Sequence, residues 1–94
     1  MKEVVKINSE DSNLIERKFY EHAAGKDNVA FLMHDKDIAW ETLQHYIDVV
    51  ESRFFELEKT KERLSKKYEP KEFVGKSYNY SFDFNDESIT YEMA

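Results

Sequence analysis

The stretch from Trp40 to Tyr68 constrains this chain more than any other part of it. Trp40, Leu43, Ile47, Val50, Phe54, Leu57, Lys61, Leu64 and Tyr68 recur at steps of three and four residues. That spacing puts every member on one side of an α-helix, in a seam of roughly four heptads interrupted once by Lys61. Tyr46, Val49 and Phe55 widen the stripe. The pattern predicts a helix over 38–67, roughly 45 Å long at 1.5 Å per residue. Asp35 or Asp37 is placed to cap its start. Glu69-Pro70 stops it, because the residue before a proline disfavours the α region.

A helix of that length cannot bury its stripe alone. The preceding segment supplies a companion. Asn8 or Ser9 is a plausible N-cap, Glu10 and Asp11 suit a first turn, and Leu14, Ile15, Phe19, His22, Ala23, Lys26, Ala30 and Met33 follow at helical spacing. Gly25 is a soft point costing about 1 kcal/mol in a helix interior. The stripe keeps its phase across it, so one continuous helix over 10–34 is expected. Two long helices joined by the short polar link around His34–Asp37 should fold back as an antiparallel hairpin.

The period then changes. Tyr78, Tyr80, Phe82 and Phe84 alternate with Ser77, Asn79, Ser81 and Asp83, and after Asn85-Asp86-Glu87 the residues Ile89, Tyr91 and Met93 alternate again. This is a β-hairpin over 77–93 with one aromatic face. Two strands are marginal in water. The β-branched residues 3–7 are the natural third strand. The expectation is therefore a single α+β domain over 1–94 in the order β-α-α-β-β. It pairs an antiparallel two-helix hairpin with a small antiparallel sheet made of the N-terminal strand and the C-terminal β-hairpin.

Composition removes several chemistries. There is no cysteine, so no disulfide, thiolate nucleophile or cysteine-held metal is available. Two glycines, at 25 and 75, do not make a phosphate-cradling loop. No long apolar run is present, and Met1–Lys6 lacks the apolar stretch of a signal peptide, so a cytoplasmic protein without membrane contact is expected. The net charge of −6 is uneven: between Lys59 and Lys76 seven basic residues face three acidic ones, giving +4. The remainder, with seven basic and seventeen acidic residues, carries −10. An acidic body argues against nucleic-acid binding. The basic segment suits the C-terminal end of a helix.

Candidate sites are few. Glu41, His45 and Asp48 share a helix face as a conceivable metal set, but ordinary surface pairs have the same spacing, and no metal or other cofactor is expected. No nucleophile–base arrangement stands out, so no catalytic residue is assigned and the chain is not expected to be an enzyme on its own. Tyr78 and Tyr80, with Ile89 and Tyr91, lie on the aromatic strand face, either as core or as a stacking surface. Trp40 is either core or a binding anchor. These five, Trp40, Tyr78, Tyr80, Ile89 and Tyr91, are the candidate partner-binding residues. The sheet must also have an exposed edge, which is a template for adding an extended peptide strand.

The order of elements resembles a known family. The carrying strings are Val5-Lys6-Ile7-Asn8-Ser9-Glu10-Asp11, then Ile15-Glu16-Arg17, then Leu64-Ser65-Lys66-Lys67-Tyr68, then Phe82-Asp83-Phe84 through Ile89-Thr90-Tyr91. The chain is similar to the small accessory proteins of ribosomal-peptide modification systems, the CXXX-repeat type. Similar proteins accompany radical S-adenosylmethionine spliceases, which excise a tyramine unit from a precursor peptide. Phe54-Phe55 stands where a tryptophan pair is expected. The resemblance implies a non-catalytic accessory subunit. Its partner enzyme would hold the iron–sulfur cluster and S-adenosylmethionine, and the subunit would help present the precursor peptide. Two other readings stand beside it. One is a small acidic inhibitor of phage type that mimics nucleic acid and binds a nuclease, using Asp27, Asp35, Asp37, Glu41, Asp48 and Glu51. The other is a homodimeric helical hairpin with a structural role.

Overall fold

Asn8 begins the helical part of the molecule as the sequence suggests: its side-chain Oδ1 accepts a hydrogen bond from the Asp11 backbone N–H at 2.8 Å. This satisfies one of the orphan donors of the first turn. In the computed structural model, which describes residues 1–93, helix α1 then runs over Ser9–Leu32 without a break at Gly25. Helix α2 covers Trp40–Lys67. It starts two residues later than its stripe suggests, because neither aspartate caps it. The first intrahelical bonds go to the Ala39 carbonyl, while Asp35 Oδ1 accepts from the Asp37 N–H at 2.9 Å and closes the preceding turn instead.

Strands β1 (Lys2–Lys6), β2 (Tyr78–Asp83) and β3 (Ser88–Met93) complete the order β1-α1-α2-β2-β3. The fold is α+β, with a three-stranded antiparallel sheet in the spatial order β1-β3-β2. The N-terminal strand is thus the third strand of the C-terminal hairpin, as its composition predicts. Val5 pairs with Ile89, and Phe82 pairs with Ile89 from the other side. Phe84 leaves the alternation and enters the Phe84–Glu87 turn. Glu87 adopts a positive φ of 50° there, and Asp83 Oδ1 accepts from the N–H groups of Asn85 and Asp86 at 3.0 Å.

The chain divides into two compact units, Met1–Glu16 with Thr60–Ala94, and Arg17–Lys59. In the first unit the inward sheet face builds the core. Ile7, Phe73, Ile89 and Tyr91 are buried together, with Val5, Tyr68, Tyr78, Tyr80, Phe82 and Met93 packed around them. Phe73 was not foreseen. It lies on a single 3₁₀ turn, Lys71–Phe73, opened by Pro70 and followed by Gly75 at a φ of +77°. Its ring meets Tyr78 edge-on at 5.5 Å and lies 5.9 Å from Tyr91. The Tyr91 hydroxyl donates to the Ser65 carbonyl at 2.6 Å. That carbonyl belongs to the last turn of α2, where no i+4 amide is left to satisfy it.

In the second unit the two helices meet through Gly25. A Cβ at this position would stand 3.1 Å from Val50 Cγ2 and 3.4 Å from Arg53 Nη1. The missing side chain lets the backbones approach, and Arg53 Nη1 donates to the Glu21 carbonyl at 3.1 Å. Lys18 pairs with Glu56 at 3.1 Å, and the His22 and Phe54 rings lie 5.3 Å apart. Contact between the helices therefore runs along Lys18, Glu21, His22 and Gly25 of α1, a line that takes in only His22 of the predicted stripe.

Candidate protein-binding surfaces

The backbone geometry of the sheet defines one surface. Ile7 N–H donates to the Glu87 carbonyl at 2.9 Å, and Met93 N–H to the Met1 carbonyl at 3.0 Å. In an antiparallel pair the hydrogen-bonding residues alternate. The odd residues of β3 therefore bond to β1, and its even residues, Ser88, Thr90 and Glu92, bond to Asp83, Ser81 and Asn79 of β2. The backbone groups of Tyr78, Tyr80 and Phe82 then point away from β3, along the free edge of β2. On β1 the outward backbone groups are those of Lys2, Val4 and Lys6.

The two edges differ in chemistry. Lys2 and Lys6 flank the β1 edge, and Lys6 is held by Asp86 in an ion pair. Edge lysines oppose strand addition. Between Tyr78 and Phe82 the β2 edge has no charged side chain. A shallow depression of about 90 Å³, lined by Asn79, Tyr80, Ser81, Thr90 and Glu92, adjoins it. The Tyr78 hydroxyl donates to Glu69, and burial, then that carboxylate, pushes its pKa up to about 12. Tyr91 is raised further, first by burial and then by the neighbouring Tyr78. Both phenols remain neutral donors near neutral pH.

The second surface lies in the Arg17–Lys59 unit. Lys26, Val29, Ala30 and Met33 on one side, and Ile47, Val50 and Glu51 on the other, line a groove of about 310 Å³. Of the stripes predicted from spacing, Lys26, Ala30 and Met33 of α1 and Ile47 and Val50 of α2 line it, while other members lie outside it. Phe19, Met33, Trp40 and Phe54 are 45 %, 66 %, 66 % and 49 % exposed.

The five sequence-derived candidates divide accordingly. Ile89 and Tyr91 are completely buried. They are core, because the inward sheet face is filled by Phe73, Tyr68 and their own cross-strand neighbours. Tyr78 and Tyr80 are half-buried at the β2 edge. Trp40 is exposed in the other unit, which overturns its reading as core: the stripe marks a helix face, but nothing in its own unit covers that end. The fold does not bring Trp40 together with the four strand residues within one unit.

Glu41, His45 and Asp48 lie exposed on α2, where Asp48 accepts from Gln44 Nε2 at 2.9 Å and the His45 ring lies 5.6 Å from Tyr46. Among the described residues, no three histidine, aspartate or glutamate side chains converge on a metal position. Asp27, Asp35, Asp37, Glu41, Asp48 and Glu51 are all exposed. Asp35 and Asp48 accept local hydrogen bonds, while Glu51 lines the groove. In the basic segment, Lys67 bonds to Asp11 at 2.6 Å. The Tyr68 hydroxyl donates to the same carboxylate oxygen at 2.6 Å and accepts from the Asn8 N–H at 3.2 Å. No helix among the described residues is long and apolar enough to cross a membrane. Comparison of the chain with protein-family models, curated proteins and solved structures returns no match.

Proposed function

We propose that this protein is a non-catalytic accessory subunit. It holds an extended peptide along the free edge of β2 and presents it to a peptide-modifying enzyme of the radical S-adenosylmethionine type. The observation that carries this reading is the asymmetry of the sheet edges. The outward backbone groups of Tyr78, Tyr80 and Phe82 form a run without charged side chains, whereas the β1 edge is flanked by Lys2 and Lys6. A peptide added to β2 gains main-chain hydrogen bonds there. Its alternate side chains lie beside Tyr80 and Phe82 on one face, and beside Ser81 and Asp83 on the other. An apolar–polar alternating segment fits that surface. The chemistry belongs to the partner enzyme, whose class comes from the resemblance described above.

The test has two stages. Affinity capture from the native host, read by mass spectrometry, is expected to recover a radical enzyme and its precursor peptide. Amide hydrogen exchange by NMR then locates the peptide. In the free protein the Tyr80 and Phe82 amides exchange fast while Asn79 and Ser81 are protected by β3. With the recovered peptide bound, Tyr80 and Phe82 become protected. Normal modification of the precursor by the enzyme alone overturns the accessory role, and unchanged exchange at Tyr80 and Phe82 overturns the binding mode.

A further inference from the structure

We infer that the groove face of the Arg17–Lys59 helical hairpin is a self-association surface, and that its occupant is the same hairpin of a second copy of this chain. The inference is independent of peptide binding at the sheet edge, which uses the other unit. It starts from an incomplete core. Ala30 and Met33 of the α1 stripe and Ile47 and Val50 of the α2 stripe line one open groove, and Met33 is 66 % exposed. In the four-helix arrangement such stripes are covered by two further helices.

Charge selects the occupant. The groove is apolar except for Lys26 on α1 and Glu51 on α2. A two-fold axis running along the groove, parallel to the helices, lays α1 of one copy over α2 of the other and sets Lys26 beside Glu51, and the reverse contact follows by symmetry. A purely basic or purely acidic partner helix would oppose one of the two charges. Area agrees with this choice. About 24 Å of α1 and about 30 Å of α2 lie in the unit, and two helices side by side are about 20 Å wide. The footprint is roughly 500–600 Å² per copy. Two copies bury about 1,000–1,200 Å², at the lower limit of specific interfaces.

The test uses the full chain and two single charge reversals, K26E and E51K. Sedimentation equilibrium of the wild type across the micromolar range is expected to show a monomer of 11.3 kDa passing to twice that mass. Trp40, the one tryptophan, lies on the same stripe, so its emission shifts to the red on dilution as the dimer separates. Each reversal places like charges across the axis and weakens the dimer by roughly tenfold or more. Mixing K26E with E51K restores opposite charges at both contacts, so the mixture associates within about threefold of the wild type. Distortion of a single chain cannot be repaired by mixing, so recovery identifies contact between copies. A wild type that stays monomeric at several hundred micromolar overturns the inference. So does a dimer that both reversals leave unchanged, or one that mixing fails to restore.

Discussion

The two units of this protein use aromatic side chains in opposite ways. In the sheet unit, Phe73, Ile89 and Tyr91 are fully buried, and Ile15 and Leu64 are 1 % exposed. In the hairpin unit, Leu57 is the one large apolar side chain below a tenth exposure among the described residues, while Phe19, Tyr20, Phe31, Met33, Trp40, Tyr46, Phe54 and Phe55 are exposed. A sheet face can be closed by one short turn and a pair of helix ends. Two helices alone have too little surface facing each other to cover stripes this wide. The sheet unit carries its own hydrophobic stabilisation, and the hairpin unit leaves apolar side chains exposed.

Truncation gives the sharpest way to break this contrast. Phe73→Ala removes the ring between Tyr78 and Tyr91 and is expected to cost about 3–5 kcal/mol. Phe31→Ala, at a residue 77 % exposed, should stay within about 0.5 kcal/mol of the wild type. Urea unfolding of both variants at one low protein concentration checks the pair. Equal losses would dissolve the distinction between a closed and an open unit.

Two smaller changes probe how each unit is held together. Gly25→Leu forces a side chain into the space of Val50 and Arg53, and overpacking of this kind costs about 2 kcal/mol. Thermal melting followed by far-ultraviolet circular dichroism should register the loss. A neutral result would mean that the hairpin does not depend on close approach at Gly25. Tyr91→Phe keeps the ring but takes away the donor to the Ser65 carbonyl. Leaving that buried acceptor unpaired costs about 1.5 kcal/mol. The same melt reads it, and an unchanged Tm would show that water replaces the hydroxyl.

The sequence made local patterns legible, and closure less so. Strict alternation at Tyr78, Tyr80 and Phe82 declared a strand with one apolar face, and the β-branched run near the N-terminus declared its neighbour. Asn8 announced its cap, and stripe phase carried α1 correctly through Gly25. Phe73 was invisible because a single 3₁₀ turn has no period. Pro70, a lone apolar pair and Gly75 were the available signals. For Trp40 the sequence leaves core and binding anchor open, because periodicity tells which residues share a face, not whether anything covers it. The β2 edge was foreseeable only as a generic exposed edge. Its outward backbone groups depend on register, and a one-residue slip would exchange them.

The smallest effect concerns acid, and it sharpens the comparison because the group responsible lies in the sheet unit. Hydrogen bonds from Lys67 and Tyr68 hold the Asp11 carboxyl below its ordinary pKa of 3.8. A carboxylate with a depressed folded pKa resists protonation more when folded than when unfolded. Its contribution to stability is complete above the ordinary value and is lost as pH falls through the lower folded value. Stability should therefore be level from pH 7 to about 5 as far as Asp11 is concerned, and should decline below about pH 4. Lys67 is half-exposed, so solvent screens the pair and the effect is modest. Asp11→Asn removes the titration. Comparing Tm from pH 7 to 2.5, the variant should start lower at neutral pH and approach the wild type in acid, closing a gap of ~3 °C. A gap that stays constant across this range would mean that the Asn8–Tyr68–Asp11 network acts through its neutral hydrogen bonds alone.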